Sequence, residues 1–416
     1  MMNIAMVSVQ DSPLGTTNGL DGGLGVHVAE LARELGRRGH RVTVYTRQDG
    51  RDPQGRIRFA PGVTVEQLAV GPVRPLAEDE LLPYLADFGA ELARRWHGRR
   101  PDVVHAHHWV SGLAAIAGAN GLDIPVAQSF HTLGTTLARA GQPCSPTRVR
   151  LEKAIGRSVR SVVATTESER TELVRLGLRR RQVTLVPSGV DVEKFSPSGP
   201  ALPRGEAPRL VTLMQLGRHQ GVVSIIQALA RIPDAELVVA GGPARDELET
   251  DETVHQLRIK AKEAGVADRV TFIGSVSAND APKLLRSADL TVSVPAHENV
   301  GRMPLESMAC GTPVVASPVG GHLDSVVENV TGIHVPADRP MEIARRVRAL
   351  LADQTHRTAL SIGAVDRVRS RFSWDRVANE TVKVYESLQP VPVPVPEPEP
   401  VLAGVTAGAA EEDEEF

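Results

Sequence analysis

A chain of 416 residues is longer than one hydrophobic core usually supports, so two domains are expected. Its 41% hydrophobic and 23% charged residues are ordinary for a globular protein and exclude a wholly disordered chain. The net charge of −3 hides an asymmetry: seven acids and no base follow Pro390, and the body before them holds four more bases than acids, too small a surplus for a nucleic-acid partner.

The opening MMNIAMVSV has no basic leader and reads directly as a strand, so no signal peptide is expected. No apolar run approaches the ~20 residues that span a bilayer, so no integral membrane segment and a cytoplasmic location are expected. In chain order, Val- and Ile-rich strands are expected at Asn3–Val9, Arg41–Thr46, Val103–Ala106, Val126–Phe130, Ser161–Thr165 and Val183–Val186. A second series follows at Arg209–Met214, Glu236–Ala240, Val270–Ile273, Leu290–Val294 and Val314–Ala316. Amphipathic helices separate many of them, as at Val26–Arg38, where Val28, Leu31 and Leu35 recur at helical spacing. Such alternation builds parallel sheets covered on both faces. The Pro-, Ser- and Gly-rich stretch Ser196–Pro208 divides the two series. The expected architecture is therefore α/β, two doubly wound Rossmann-like domains facing a central cleft, with ligands at the carboxyl ends of the strands. Their expected bounds are 1–195 and 207–372, and Arg371–Leu388 reads as a further helix. The alternating prolines of PVPVPVPEPEP force an extended chain, and 389–416 is expected to be a disordered, acidic tail.

Cys144 and Cys310 cannot form a disulfide framework or a metal knuckle. In His105-Ala-His-His108, alternation along a strand puts His105 and His107 on one face and His108 on the other. Without carboxylate or cysteine ligands in the pattern, no metal is expected. His131 follows a strand at its carboxyl edge, where a structural histidine and a working one are both at home. Asn18-Gly-Leu-Asp-Gly-Gly-Leu-Gly25 leads into a helix whose N-terminus favours an anion, although a plain tight turn uses glycines too. The strongest local signal is Pro295-Ala-His-Glu298-Asn-Val-Gly301-Arg-Met-Pro-Leu-Glu306: two glutamates flank a strand-to-helix turn whose N–H groups can receive a phosphate.

Over residues 3–388 the chain resembles the family 4 glycosyltransferases of the GT-B fold. The matching stretches are DGGLGVHVAELARELGRRGHRVTVYTR, PDVVHAHHWVSG, QSFHTLG, LVPSGVDVEKF, the Glu298-to-Glu306 segment, CGTPVVASPVGG and FSWDRV. SVQDSPLG, FHTLG and the Cys144-to-Glu152 region are most similar to the actinobacterial branch, with the inositol-phosphate N-acetylglucosaminyltransferase of mycothiol synthesis and sucrose-phosphate-synthase-like enzymes. The resemblance implies metal-independent transfer of a sugar from a nucleoside diphosphate donor, with retention of configuration and no cofactor. The donor, UDP-linked by family frequency, would lie on the second domain and a small-molecule or glycan acceptor on the first; the helix at 373–388 would cross back. By the same carry-over, Gly22 and Gly23 lie against the diphosphate and His131 near the donor sugar. Glu298 holds sugar hydroxyls, Asn299, Val300, Gly301 and Arg302 form the turn between the glutamates, Glu306 holds the ribose, and His108 and Thr132 face the acceptor.

The chain departs from that pattern where the family has an Arg and, five residues on, a Lys: here stand Gln215 and Gln220, with Arg218 between them. The pair stabilises charge on the departing diphosphate, and at roughly 1.5–3 kcal/mol per charge-assisted hydrogen bond its loss costs about 3–6 kcal/mol. Arg218, His219 or Arg302 could replace it. Pro-Phe after the first glutamate has become Asn299-Val300, and Glu78 and His108 stand where the inositol-phosphate enzyme has a lysine and a tyrosine, which disfavours that acceptor. The alternatives are a catalytically silent relative that binds a ligand or a partner glycosyltransferase, and another GT-B activity such as an epimerase or phosphorylase. A homo-oligomer stays open.

Overall fold

A computed structural model describes residues 1–15, 23–51, 55–217 and 221–389; the expected disordered tail from 390 onward lies outside them. The first sheet contains β1 (Asn3–Val7), β2 (Arg41–Arg47), β3 (Arg56–Ala60), β4 (Val63–Leu68), β5 (Val103–His107), β6 (Val126–Ser129), β7 (Ser161–Ala164) and β8 (Val183–Leu185). The second contains β9 (Arg209–Leu213), β10 (Glu236–Ala240), β11 (Val270–Gly274), β12 (Leu290–Ser293), β13 (Val314–Ala316) and β14 (Gly332–His334).

The strand orders are β3-β4-β2-β1-β5-β6-β7-β8 and β11-β10-β9-β12-β13-β14. Every described pairing is parallel except β3 with β4, and the register sets Ile4 beside both Val42 and Val103, and Leu210 beside Leu237 and Leu290. Each sheet is covered on both faces by apolar layers, which is why its central strands are uninterrupted Val, Ile, Ala and Leu. Strand order reverses between β1 and β5 in one sheet and between β9 and β12 in the other, and the crevice outside such a reversal is where ligands of these folds bind.

Strands β3, β4 and β14 were not expected from the sequence. The first two form an antiparallel edge hairpin turned at Gly62 (φ 75°), whose alternating Arg56-Ile-Arg-Phe-Ala lacks the continuous apolar run of a buried strand. Within the expected Arg371–Leu388 stretch one helix runs Trp374–Leu388, close to the 373–388 bounds, and begins where the Ser373 side chain accepts from the Arg376 backbone N–H; Arg371 instead ends the preceding helix. That last helix lies on the first sheet, with Trp374, Val377, Ala378, Val384 and Tyr385 among Ile4, Met6, Val28 and Leu31. Among the described residues no helix is long and apolar enough to cross a membrane.

Candidate active site

The carboxyl ends of β5 and β6 carry a cluster of imidazoles. Alternation along β5 turns His105 and His107 to one face, their rings 4.2 Å apart. His105 is fixed by Tyr385 Oη (2.7 Å) and Ser129 Oγ (3.0 Å). One of His107 Nδ1 and His131 Nε2 donates to the other at 3.1 Å, and His131 has a left-handed backbone (φ 63°) that aims its ring into the cleft. His27, from the Gly23–Arg37 helix, completes the group: its Nδ1 lies 3.3 Å from Ser188 Oγ, and its ring stands edge-on to His131 and Trp374. Burial pushes His27 down to about 4 and His105 to about 3, and holds His107 and His131 well below the ordinary histidine range. All four are neutral at pH 7. Ring nitrogens of His27, His107 and His131 lie within 4.8 Å of one another, so this trio is what could hold a metal; in the His107–His131 hydrogen bond one of the two nitrogens carries the proton and the lone pair of the other accepts it.

His108 faces the other way, at φ 72°, as the alternation requires. Its Nε2 lies 3.4 Å from Glu78 Oε1 and its Nδ1 is buried without a partner. Burial would raise the Glu78 carboxyl, but hydrogen bonds from His108 and Trp109 and the charge of Arg148 together hold it at about 2. Arg148 also joins Glu152 (2.8 Å), which accepts the Gly134 N–H. Burial nevertheless raises Glu152, and burial raises Asp11 in the same region.

On the opposite wall β12 runs into Pro295–Gly301, and Gly301 in the left-handed region (φ 74°) starts the Arg302–Ala309 helix. Glu298 Oε1 accepts the N–H groups of Val300 (3.2 Å) and Gly301 (3.3 Å), so two donors expected for a phosphate are already spent. Asn299 Nδ2 donates across the cleft to Thr132 Oγ1 at 2.9 Å. Glu306 is 2% exposed; its Oε1 accepts from Arg302 Nε at 2.6 Å, while its Oε2 and Arg302 Nη1 are buried with no partner.

These groups enclose a cavity of about 500 Å³. Gly23, His108, His131 and Thr132 line its first-domain wall; Gln215, Glu298, Asn299, Val300, Arg302 and Glu306 line the other. Gly301 stands behind the lining as the helix start. A neighbouring cavity of about 370 Å³ shares Gly23, His27, Arg302 and Glu306 and adds Ser277, Asn279 and Trp374. Gly22, Arg218 and Gln220 lie outside the described residues. Sequence reasoning missed His27, Ser277 and Asn279; His27 had a signal, falling on the apolar stripe with Leu31 and Leu35, whereas the other two had none.

Residues 21–194 match the family described as Glycosyltransferase Family 4, and residues 200–366 match Glycosyl transferases group 1. The D-inositol 3-phosphate glycosyltransferase of Geodermatophilus obscurus is 34% identical over 406 residues, covering 92% of this chain and 88% of that protein. The enzyme of the same name from Xylanimonas cellulosilytica is also 34% identical, covering 92% and 96%. Among solved structures, sucrose-phosphate synthase from Thermosynechococcus elongatus superimposes with a TM-score of 0.82 at 25% identity, covering 93% of this chain and 99% of that one. Anabaena HepE in complex with UDP and glucose gives 0.72 at 19% identity, covering 93% and 100%, a likeness of fold alone. With two facing sheets, a cleft at both strand-order reversals and these relatives over nine-tenths of its length, the chain belongs to glycosyltransferase family 4 and has the GT-B fold.

Proposed function

We propose that this glycosyltransferase moves a hexosyl group from a nucleoside diphosphate sugar, UDP-linked by preference, to an acceptor hydroxyl with retention of configuration and without metal or cofactor. The observation that carries this reading is the buried pair of unused groups, Glu306 Oε2 and Arg302 Nη1, lining the cleft that neutral His131 faces from the other wall. A buried carboxylate oxygen without a donor costs free energy until a ligand hydroxyl supplies one, and ribose hydroxyls fit that need. Glu298 orients the donor sugar. The N-terminus of the Gly23–Arg37 helix and Arg302 stabilise the diphosphate. The acceptor oxygen bonds to the anomeric carbon on the face the diphosphate leaves, the carbon–oxygen bond to the phosphate breaks, and a phosphate oxygen takes the acceptor proton. Neutral His131 acts as a hydrogen-bonding wall rather than a cation. Domain closure excludes water.

Glu306→Ala is expected to weaken nucleotide binding by on the order of ten- to a hundredfold, the worth of a charge-assisted hydrogen bond. His131→Ala should reduce transfer more than binding, and calorimetry beside a turnover assay separates the two. Equal nucleotide affinity in Glu306→Ala and wild type would refute the ribose contact.

One observation favours a second reading, a silent relative. Among the described residues lining the larger cavity, Arg302 is the lone Lys or Arg, and it is tied to Glu306. Titration of UDP, ADP and GDP into wild type and Gln215→Arg/Gln220→Lys decides between them. Micromolar binding by wild type with little gain in the variant supports the transferase. No binding by wild type and strong binding by the variant supports the silent relative.

A further inference from the structure

The first-domain wall of the cleft is negative, and this bears on the acceptor. Arg148 is 8% exposed and its donors are committed: Nε to Glu152 Oε1 (2.8 Å), Nη1 to Glu78 Oε2 (2.8 Å) and Nη2 to the Thr132 carbonyl (3.0 Å). One guanidinium is thus shared by two carboxylates and does not line the cavity. Glu78 does line it, with about a third of its side chain exposed; its Oε2 is taken by Trp109 and Arg148, while its Oε1 has only the long approach of His108 Nε2. Asp11 lines the same wall, and Arg51 near it pairs with Asp49. Gln10, Thr132 and Gln142 supply neutral hydrogen-bonding groups, and no Lys or Arg stands among the described residues of this wall.

The second observation is His108. The residue is 7% exposed, lines the cavity, and carries a buried Nδ1 with no partner. Nε2 lies 3.4 Å from Glu78 Oε1 and 3.5 Å from Arg148 Nη2, and in either tautomer the unpartnered Nδ1 has a hydrogen bond to exchange with a hydroxyl, which both donates and accepts. A phosphate entering here would meet two carboxylates, or would have to take Arg148 from Glu78 and leave that carboxylate half-buried and unpaired. An ammonium meets the opposite situation.

We propose that the acceptor is a polyol bearing an amino group, an aminocyclitol or amino sugar, with its ammonium between Asp11 and Glu78 and a ring hydroxyl on His108 Nδ1. This rests on the glycosyl-transfer reading of the cleft. It separates this chain from the inositol phosphate named for its relatives.

The test is calorimetric titration of the full chain, with and without UDP, using two rings each in neutral, amino and phosphorylated form: myo-inositol, 1-amino-1-deoxy-myo-inositol and D-myo-inositol 3-phosphate; glucose, glucosamine and glucose 6-phosphate. The amino form of at least one ring is expected to bind on the order of ten- to a hundredfold more tightly than its neutral partner, with the advantage shrinking in high salt. The phosphorylated forms are expected not to bind. Glu78→Gln and Asp11→Asn should each remove about tenfold of the amine's advantage and leave UDP affinity unchanged. Asp11→Asn keeps the test open if Glu78→Gln disturbs the Arg148 network. Phosphorylated rings binding as well as amino rings, no ring binding at all, or an amine preference untouched by both variants overturns the proposal. Absence of UDP binding beside a clear amine preference that both variants weaken would strike the glycosyl-transfer reading, and with it the amine's role as acceptor, while leaving the amine site itself established.

Discussion

Taken from pH 7 to pH 5, the protein is expected to lose on the order of 4 kcal/mol of stability from two buried histidines alone. His27 titrates at about 4 and His105 at about 3 in the folded chain, against about 6.5 unfolded. Between those limits the unfolded chain binds the proton and the folded one does not, so stability is intact above pH 6.5 and falls as pH drops through it. At pH 5 each group is about 1.5 units below its unfolded value, or about 2 kcal/mol. His107 and His131 push in the same direction, because burial disfavours their charged forms and the neighbouring imidazoles repel a further proton. Against a total of ~5–15 kcal/mol this is a large fraction. His27→Phe keeps an aromatic ring against Trp374 and removes one titrating group, so it should flatten the slope by about 1.4 kcal/mol per pH unit between pH 4 and 6.5. Urea midpoints at pH 7.5 and 5 measure this, and an unchanged slope in the variant excludes His27 as a contributor.

Gly320→Ala is expected to be comparably damaging for a different reason. Gly320 sits at φ 45°, ψ −128°, and a Cβ there would lie 1.5 Å from the Glu298 carbonyl oxygen. The backbone carrying Glu298 must move, and strain plus overpacking cost on the order of 3–5 kcal/mol. Because Glu298 Oε1 holds the Val300 and Gly301 N–H groups, the same shift dismantles the turn that starts the Arg302–Ala309 helix. Donor affinity should fall with stability. Gly98→Ala, whose Cβ meets nothing within 4 Å at the end of a helix, is the control and should change stability by less than about 1 kcal/mol. A Gly320→Ala protein with wild-type urea midpoint and nucleotide affinity would show that the crowding is relieved without moving Glu298.

What the sequence made legible follows from the range of the interactions involved. Parallel strands buried on both faces advertise themselves as apolar runs, so eleven positions were readable to within a residue or two at their ends. The β3–β4 hairpin was not, because Arg56 and Arg58 are exposed and the informative pattern was alternation, with Ile57 beside Val65 and a register shift at Phe59 before Ala60 meets Val63. Local chemistry such as Arg302 with Glu306, four apart on one helix, is likewise encoded nearby. The Arg148–Glu78 pair is different: its members are 70 residues apart in the chain and meet only once the fold exists. The same holds for His27 joining His107 and His131, and for the left-handed backbone of His131, which no neighbouring residue type announces.

The Trp374–Leu388 helix also bears on how the molecule is made. Its Tyr385 hydroxyl hydrogen-bonds His105 in the middle of the first sheet, and Trp374 packs so close to the segment after β8 that a Cβ on Gly189 would meet its ring at 2.4 Å. The first domain is therefore translated long before the side chains that complete its apolar layer. A nascent chain must carry that open face through synthesis of the entire second domain.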